Sequence, residues 1–114
     1  MKVYYLEIVA TNIDEVCHCY ESAHTISFSE PDPLLGNART AALPDGGIIG
    51  IREPLSDEEE PIVRPYWLVD NIDSAIESIV KRGGEVIHSP LEIPSKGKFA
   101  IYLLAGVQNG LWQL

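Results

Sequence analysis

The chain has 114 residues, 46% of them hydrophobic and 22% charged, with eight Lys and Arg against seventeen Asp and Glu. That is enough for one domain with a real core, too little for two independent ones, and unlike a disordered or fibrous composition. The formal charge of −9 repels nucleic-acid phosphates and anionic membrane surfaces, so neither is expected as a partner.

No apolar run approaches the roughly 20 residues that span a bilayer. The N-terminus also lacks the basic-then-apolar order of a signal peptide, which predicts a cytoplasmic protein beginning near Met1. Residues 4–10 are rich in β-branched, aromatic and aliphatic side chains and read as a strand, with Asn12 placed to cap the helix that follows. Ile13, Val16, Cys17 and Tyr20 recur at spacings of three and four, the apolar stripe of a helix running to about Ala23. Cys17 and Cys19 project roughly 200° apart on that helix, so they neither bridge together nor chelate one ion, and reduced thiols are expected.

A short strand is predicted over 27–30, ended by Pro31 and Pro33. Residues 39–43 and 48–52 flank Pro44-Asp45-Gly46-Gly47 as a hairpin. The order is β, α, β, β, β. It then repeats, with a strand over 63–69, a helix over 72–81 stopped by Gly83-Gly84, and strands over 85–88, 98–103 and 110–114. Pro90, Pro94 and a turn over 105–109 separate these last three. A shift of 59 residues lays Asn12-Ile13-Asp14 on Asn71-Ile72-Asp73, Phe28 on Ile87, Pro31 on Pro90 and Ala41 on Ala100, which indicates a duplication. Two modules, 1–53 and 62–114, are therefore expected within one domain. They are joined by an acidic, Pro-bounded linker, 54–61, read as a solvated charge run rather than a calcium site.

These tandem βαβββ units, the Asn-Ile-Asp helix starts and the closing Gly110-Leu111-Trp112-Gln113 resemble the vicinal oxygen chelate superfamily. That group includes glyoxalase, extradiol dioxygenases and bleomycin-resistance proteins. The resemblance covers nearly the whole chain and is most specific over Tyr66-Trp67-Leu68-Val69-Asp70-Asn71-Ile72-Asp73-Ser74-Ala75, with Gly83-Gly84-Glu85-Val86 behind it. It implies an α+β fold in which tandem βαβββ modules form a U-shaped, partly open barrel with helices outside and a ligand site inside, usually in a homodimer.

Metal-dependent members of the superfamily place His, Gln or Glu on the first strand of each module and Glu on the last. The first-strand positions here hold Tyr5 and Arg64, and the last-strand positions fall at or near Gly50 and Gly110. Glycine supplies no ligand, and an arginine repels a cation, so neither a metal nor another cofactor is expected. His18, His24 and His88 read as surface or capping histidines.

Alternation along the strands sorts the remaining residues into two faces. Leu6, Ile8, Ile49, Ile51, Val63, Trp67, Val69 and Leu111 suit the face beneath the helices. The opposite face carries Tyr5, Glu7, Arg52, Arg64, Tyr66 and Trp112, aromatic planes and complementary charges suited to an aromatic or charged small molecule. Glu7 is the one carboxylate of that set, a candidate base or else an ion-pair partner of Arg52 or Arg64.

The leading expectation is a metal-independent small-molecule binding protein of the bleomycin-resistance-like kind. One alternative is a superfamily enzyme (lyase, isomerase or dioxygenase) using a nonstandard metal site or Glu7 as base. Another is a dimeric interaction module whose groove is plugged by its own side chains.

Overall fold

A computed structural model describes residues 1–114. The elements run β1 (Val3–Val9), α1 (Ile13–His24), β2 (Arg39–Ala42), β3 (Ile48–Arg52), β4 (Ile62–Leu68), α2 (Ile72–Lys81), β5 (Glu85–Ile93), β6 (Gly97–Leu104) and β7 (Val107–Gln113), with a 3₁₀ turn at Pro33–Leu35. The fold is α+β, with strands of mixed direction. Neither helix is long and apolar enough to cross a membrane. The chain divides into two compact units, Tyr5–Val63 and Met1–Tyr4 with Arg64–Leu114.

In the Tyr5–Val63 unit the strand order is β2-β3-β1. β3 runs parallel to β1, setting Glu7 opposite Gly50, and antiparallel to β2. The β2–β3 turn closes because Gly46 takes a positive φ and Asp45 accepts the Gly47 amide at 2.8 Å. The predicted stripe of α1 packs as expected, burying Cys17 on Ile8, Ile49 and Ile51 with Ile13, Val16 and Tyr20 around them.

Two expectations fail in this unit. Residues 27–30 form no strand. Pro31 and Pro33 remove ladder donors just downstream, leaving one amide bond from Ser29 to Thr40 and an isolated Asp32–Ala38 bridge. Asn12 does not cap α1 with its side chain either, because it sits in the left-handed region (φ 54).

The other unit has the full βαβββ order and the strand order β4-β7-β6-β5. β4 runs parallel to β7 with Tyr66 opposite Gly110, and β6 is antiparallel to both β7 and β5. The Leu68 amide donates to the Lys2 carbonyl, so the chain start lies beside β4. Here the cap forms: Asn71 accepts the Ser74 amide at 3.0 Å. Ile72, Ala75, Ile76 and Ile79 then pack on Ala100, Tyr102, Leu111, Trp67 and Val69.

Three corrections concern strand limits and faces. β7 begins at Val107, not at 110, because the turn is just Ala105 and Gly106, both at positive φ, a two-residue hairpin. β5 runs through Pro90 to Ile93. It is an edge strand, where a missing amide is tolerated, and the ladder shifts register on the way through it. Val63, expected beneath a helix, is 58% exposed, since β4–β7 pairing begins only at Tyr66 and the α2 core reaches no nearer than Trp67.

Strand pairing also corrects the repeat. Ile13 matches Ile72 and Glu7 matches Tyr66 at a shift of 59, but Gly50 matches Gly110, a slip of one. Ala100 faces Leu111, the counterpart of Ile51, and Ile51 faces Arg39. The counterpart of Ala100 is thus Arg39 rather than Ala41.

Candidate functional site

All six side chains assigned to the second face are buried: Tyr5, Glu7, Arg52, Arg64, Tyr66 and Trp112 are each no more than 7% exposed. Three of them fall in each unit.

In the Tyr5–Val63 unit the centre is Arg52, the last residue of β3. Its Nε donates to Glu7 Oε2 at 3.0 Å, from a position that β1–β3 pairing brings alongside. Nη1 and Nη2 donate to the two oxygens of Glu59 at 2.7 and 2.8 Å, a two-pronged fork, and Nη1 also reaches the Glu53 carbonyl at 3.2 Å. Hydrogen bonding to Glu59 raises the guanidinium pKa above its ordinary value, burial works against that, and Glu7 adds to the rise.

Segment 54–61, read as a solvated charge run, is exposed over most of its length, but Glu59 ties it to Arg52. Sequence reasoning missed Glu59. Nothing in the acidic run Asp57-Glu58-Glu59-Glu60 separates it from its neighbours, and only the turn after β3 selects it. Beside this cluster Tyr5 takes the space next to Gly50, where a Cβ would collide with its hydroxyl end.

In the other unit Arg64 Nε donates to Gln108 Oε1 at 2.8 Å and Nη1 lies 3.4 Å from the Tyr66 hydroxyl. Gln108 falls within the turn that the sequence predicts over 105–109, and the earlier start of β7 is what brings it level with Arg64. Rings continue from there, with Tyr66 edge-on to Trp112 at 5.9 Å and to Phe99 at 6.3 Å, and His88 4.8 Å from Phe99. The indole of Trp112 donates to the Lys96 carbonyl at 3.1 Å. The result is a run of rings, buried at Tyr66 and Trp112 and reaching the surface at His88, with one guanidinium at its buried end.

No protein-family model and no curated protein matches the chain. Solved structures do. A hypothetical protein of Bacillus halodurans C-125 superposes with a TM-score of 0.79 at 18% identity, over 99% of this chain and 94% of that one. The methylmalonyl-CoA epimerase of Mycobacterium tuberculosis gives 0.76 at 14% identity, over 97% and 86%. That of Streptomyces coelicolor, a variant in complex with 2-nitronate-propionyl-CoA, gives 0.71 at 15% identity, over 99% and 96%. The fold is that of the methylmalonyl-CoA epimerases. It is a glyoxalase-like, vicinal oxygen chelate fold, as the sequence resemblance implied.

The metal chemistry of that superfamily meets a poor donor set here. The positions that the resemblance implies are Tyr5, Arg64 and residues at or near Gly50 and Gly110, and the space beside each glycine is filled by a tyrosine. No three His, Cys, Asp or Glu residues cluster in a way that could hold an ion. These residues do not fit a divalent metal. Glu7, the candidate base, is held by Arg52 in a buried ion pair.

Proposed function

We propose that this chain is an isomerase-type enzyme of the vicinal oxygen chelate superfamily, acting on a small organic molecule without a resident metal. The epimerase fold over 97–99% of the chain carries the reading. It favours an enzyme over the simple binding protein that the residues alone suggested. Tyr5, Glu7 and Arg52 in one unit and, separately, Arg64, Tyr66 and Trp112 in the other are the proposed ligand-contacting residues, with Glu7 as the proton-transfer group and Arg52 orienting it. The protein is proposed to be cytoplasmic, and to be a homodimer as the resemblance implies.

A second reading, ligand binding without chemistry, is favoured by one observation: Glu7 is already committed to Arg52.

The test is solvent deuterium exchange into acyl-CoA thioesters and small carboxylic acids, followed by NMR with chelator present, alongside native mass spectrometry for subunit count and bound metal. Exchange that survives chelation and disappears in Glu7→Gln establishes the enzyme. Saturable binding without exchange establishes the binding protein instead. Exchange restored only by added metal would sink the metal-free mechanism.

A further inference from the structure

Arg52 is held by two carboxylates on unequal supports. Glu7 stands on β1, inside a parallel ladder with β3, and fixes the Nε side of the guanidinium. Glu59 comes from 53–61, a segment without regular structure, and covers the Nη1–Nη2 edge. Leu55 is 66% exposed, Asp57 and Glu58 are exposed, and the segment's internal bonds run from the Glu59 amide to the Ser56 carbonyl and from the Leu55 amide to Glu59 Oε1. The Glu59 carboxylate fastens this strap to Arg52.

The geometry at that edge, two parallel N–H···O bonds to one carboxylate, is the same that a free carboxylate would adopt on an arginine fork. Against the strap lies an open recess of about 600 Å³, walled by Thr11, Asn12, Leu55 and four acidic residues, Glu53, Asp57, Glu59 and Glu60, with Arg52 behind Glu59 rather than on the wall. A small molecule entering that recess meets Glu59 at the receptor edge.

We propose that the Nη1–Nη2 edge of Arg52 is a receptor for the carboxylate of a small-molecule ligand, and that Glu59 is an internal carboxylate which occupies it until the ligand displaces it and frees the strap. Glu7 keeps the guanidinium oriented through the exchange, so the receptor survives the departure of Glu59. This deepens the proposed function by naming a ligand class, and it rests on the assignment of Arg52 to the ligand-contacting set.

The probe is propionate, with inorganic phosphate as the competing anion. Removing a tethered competitor raises apparent affinity by its effective concentration, so Glu59→Ala should bind propionate about tenfold or more tightly than the wild type in calorimetry. Adding Arg52→Lys to that variant, which keeps the charge but not the fork, should abolish the gain. In the wild type, propionate should speed hydrogen exchange at the Leu55 amide, which Glu59 now protects. That arm decides the matter if Glu59→Ala fails to fold.

Equal propionate affinity with and without Glu59, or unchanged Leu55 exchange at saturating propionate, would overturn the inference. Binding of phosphate but not propionate would overturn the ligand class. Gated propionate binding without deuterium exchange into any substrate keeps this inference and removes the isomerase reading, while exchange without gated binding does the reverse.

Discussion

The ring of Tyr66 on β4 occupies the space that a Cβ at Gly110, its direct partner on β7, would need. Tyr5 does the same to Gly50 from a position two residues earlier on its strand than the register counterpart of Tyr66. Both rings are buried and cannot swing aside. Gly110→Ala should therefore cost about 1–3 kcal/mol, the usual penalty for overpacking. Tyr66→Ala should cost about 3–5 kcal/mol through its cavity. The double variant should cost less than the sum, because the new methyl enters vacated space. Urea denaturation of the four proteins checks the cycle, and strict additivity would remove the packing argument.

Arg52 neutralises carboxylates whose side chains are only 9% (Glu7) and 23% (Glu59) exposed. Arg52→Met leaves both without this counter-charge and should destabilise by about 3–5 kcal/mol. The Arg39–Asp14 pair, whose aspartate is 91% exposed, is screened by solvent, so Asp14→Asn should leave the urea midpoint unchanged. A similar loss in both variants would show that burial does not set the difference.

The two helix starts should respond oppositely to substitution. Asn71→Ala removes the bond to the Ser74 amide and should cost about 1 kcal/mol. Asn12 makes no side-chain cap and bears the strain of a positive φ, so Asn12→Gly should be neutral or stabilising by a few tenths to about 1 kcal/mol. Thermal melting of each variant reads the sign directly.

Cys17 is fully buried and Cys19 is exposed. Burial pushes the Cys17 thiol pKa up, nearby Arg39 pulls it down, and Glu21 and Asp14 add to the rise. The folded state thus favours the neutral thiol. Its contribution is complete below the unfolded thiol pKa of about 8.5 and is lost as pH rises through the higher folded value. Burial raises the Tyr102 pKa in the same sense. Iodoacetamide at neutral pH should label Cys19 alone in the folded protein. Stability should fall on going to strongly alkaline pH, less steeply in Cys17→Ala. Equal labelling of both thiols would contradict the packing of α1.

Much of this was legible in the linear pattern. The stripe Ile13, Val16, Cys17, Tyr20 and the alternation of Leu6, Ile8, Ile49 and Ile51 identify elements and faces, because helical and strand periods act between near neighbours and need no knowledge of the fold. Limits and pairings were less accessible. Whether Pro90 ends a strand depends on whether its amide position faces a partner, which is decided by its place at the sheet edge. Whether Asn12 caps depends on a backbone angle set by the packing of α1.

The side-chain chemistry lay furthest from the sequence. Arg52 could be placed on a face by parity, and Glu7 weighed as its partner. The choice of Glu59 from an acidic run, and of Gln108 for Arg64, came from the turn after β3 and the register of β7. Such pairings join residues through the folded backbone, and no local period records them.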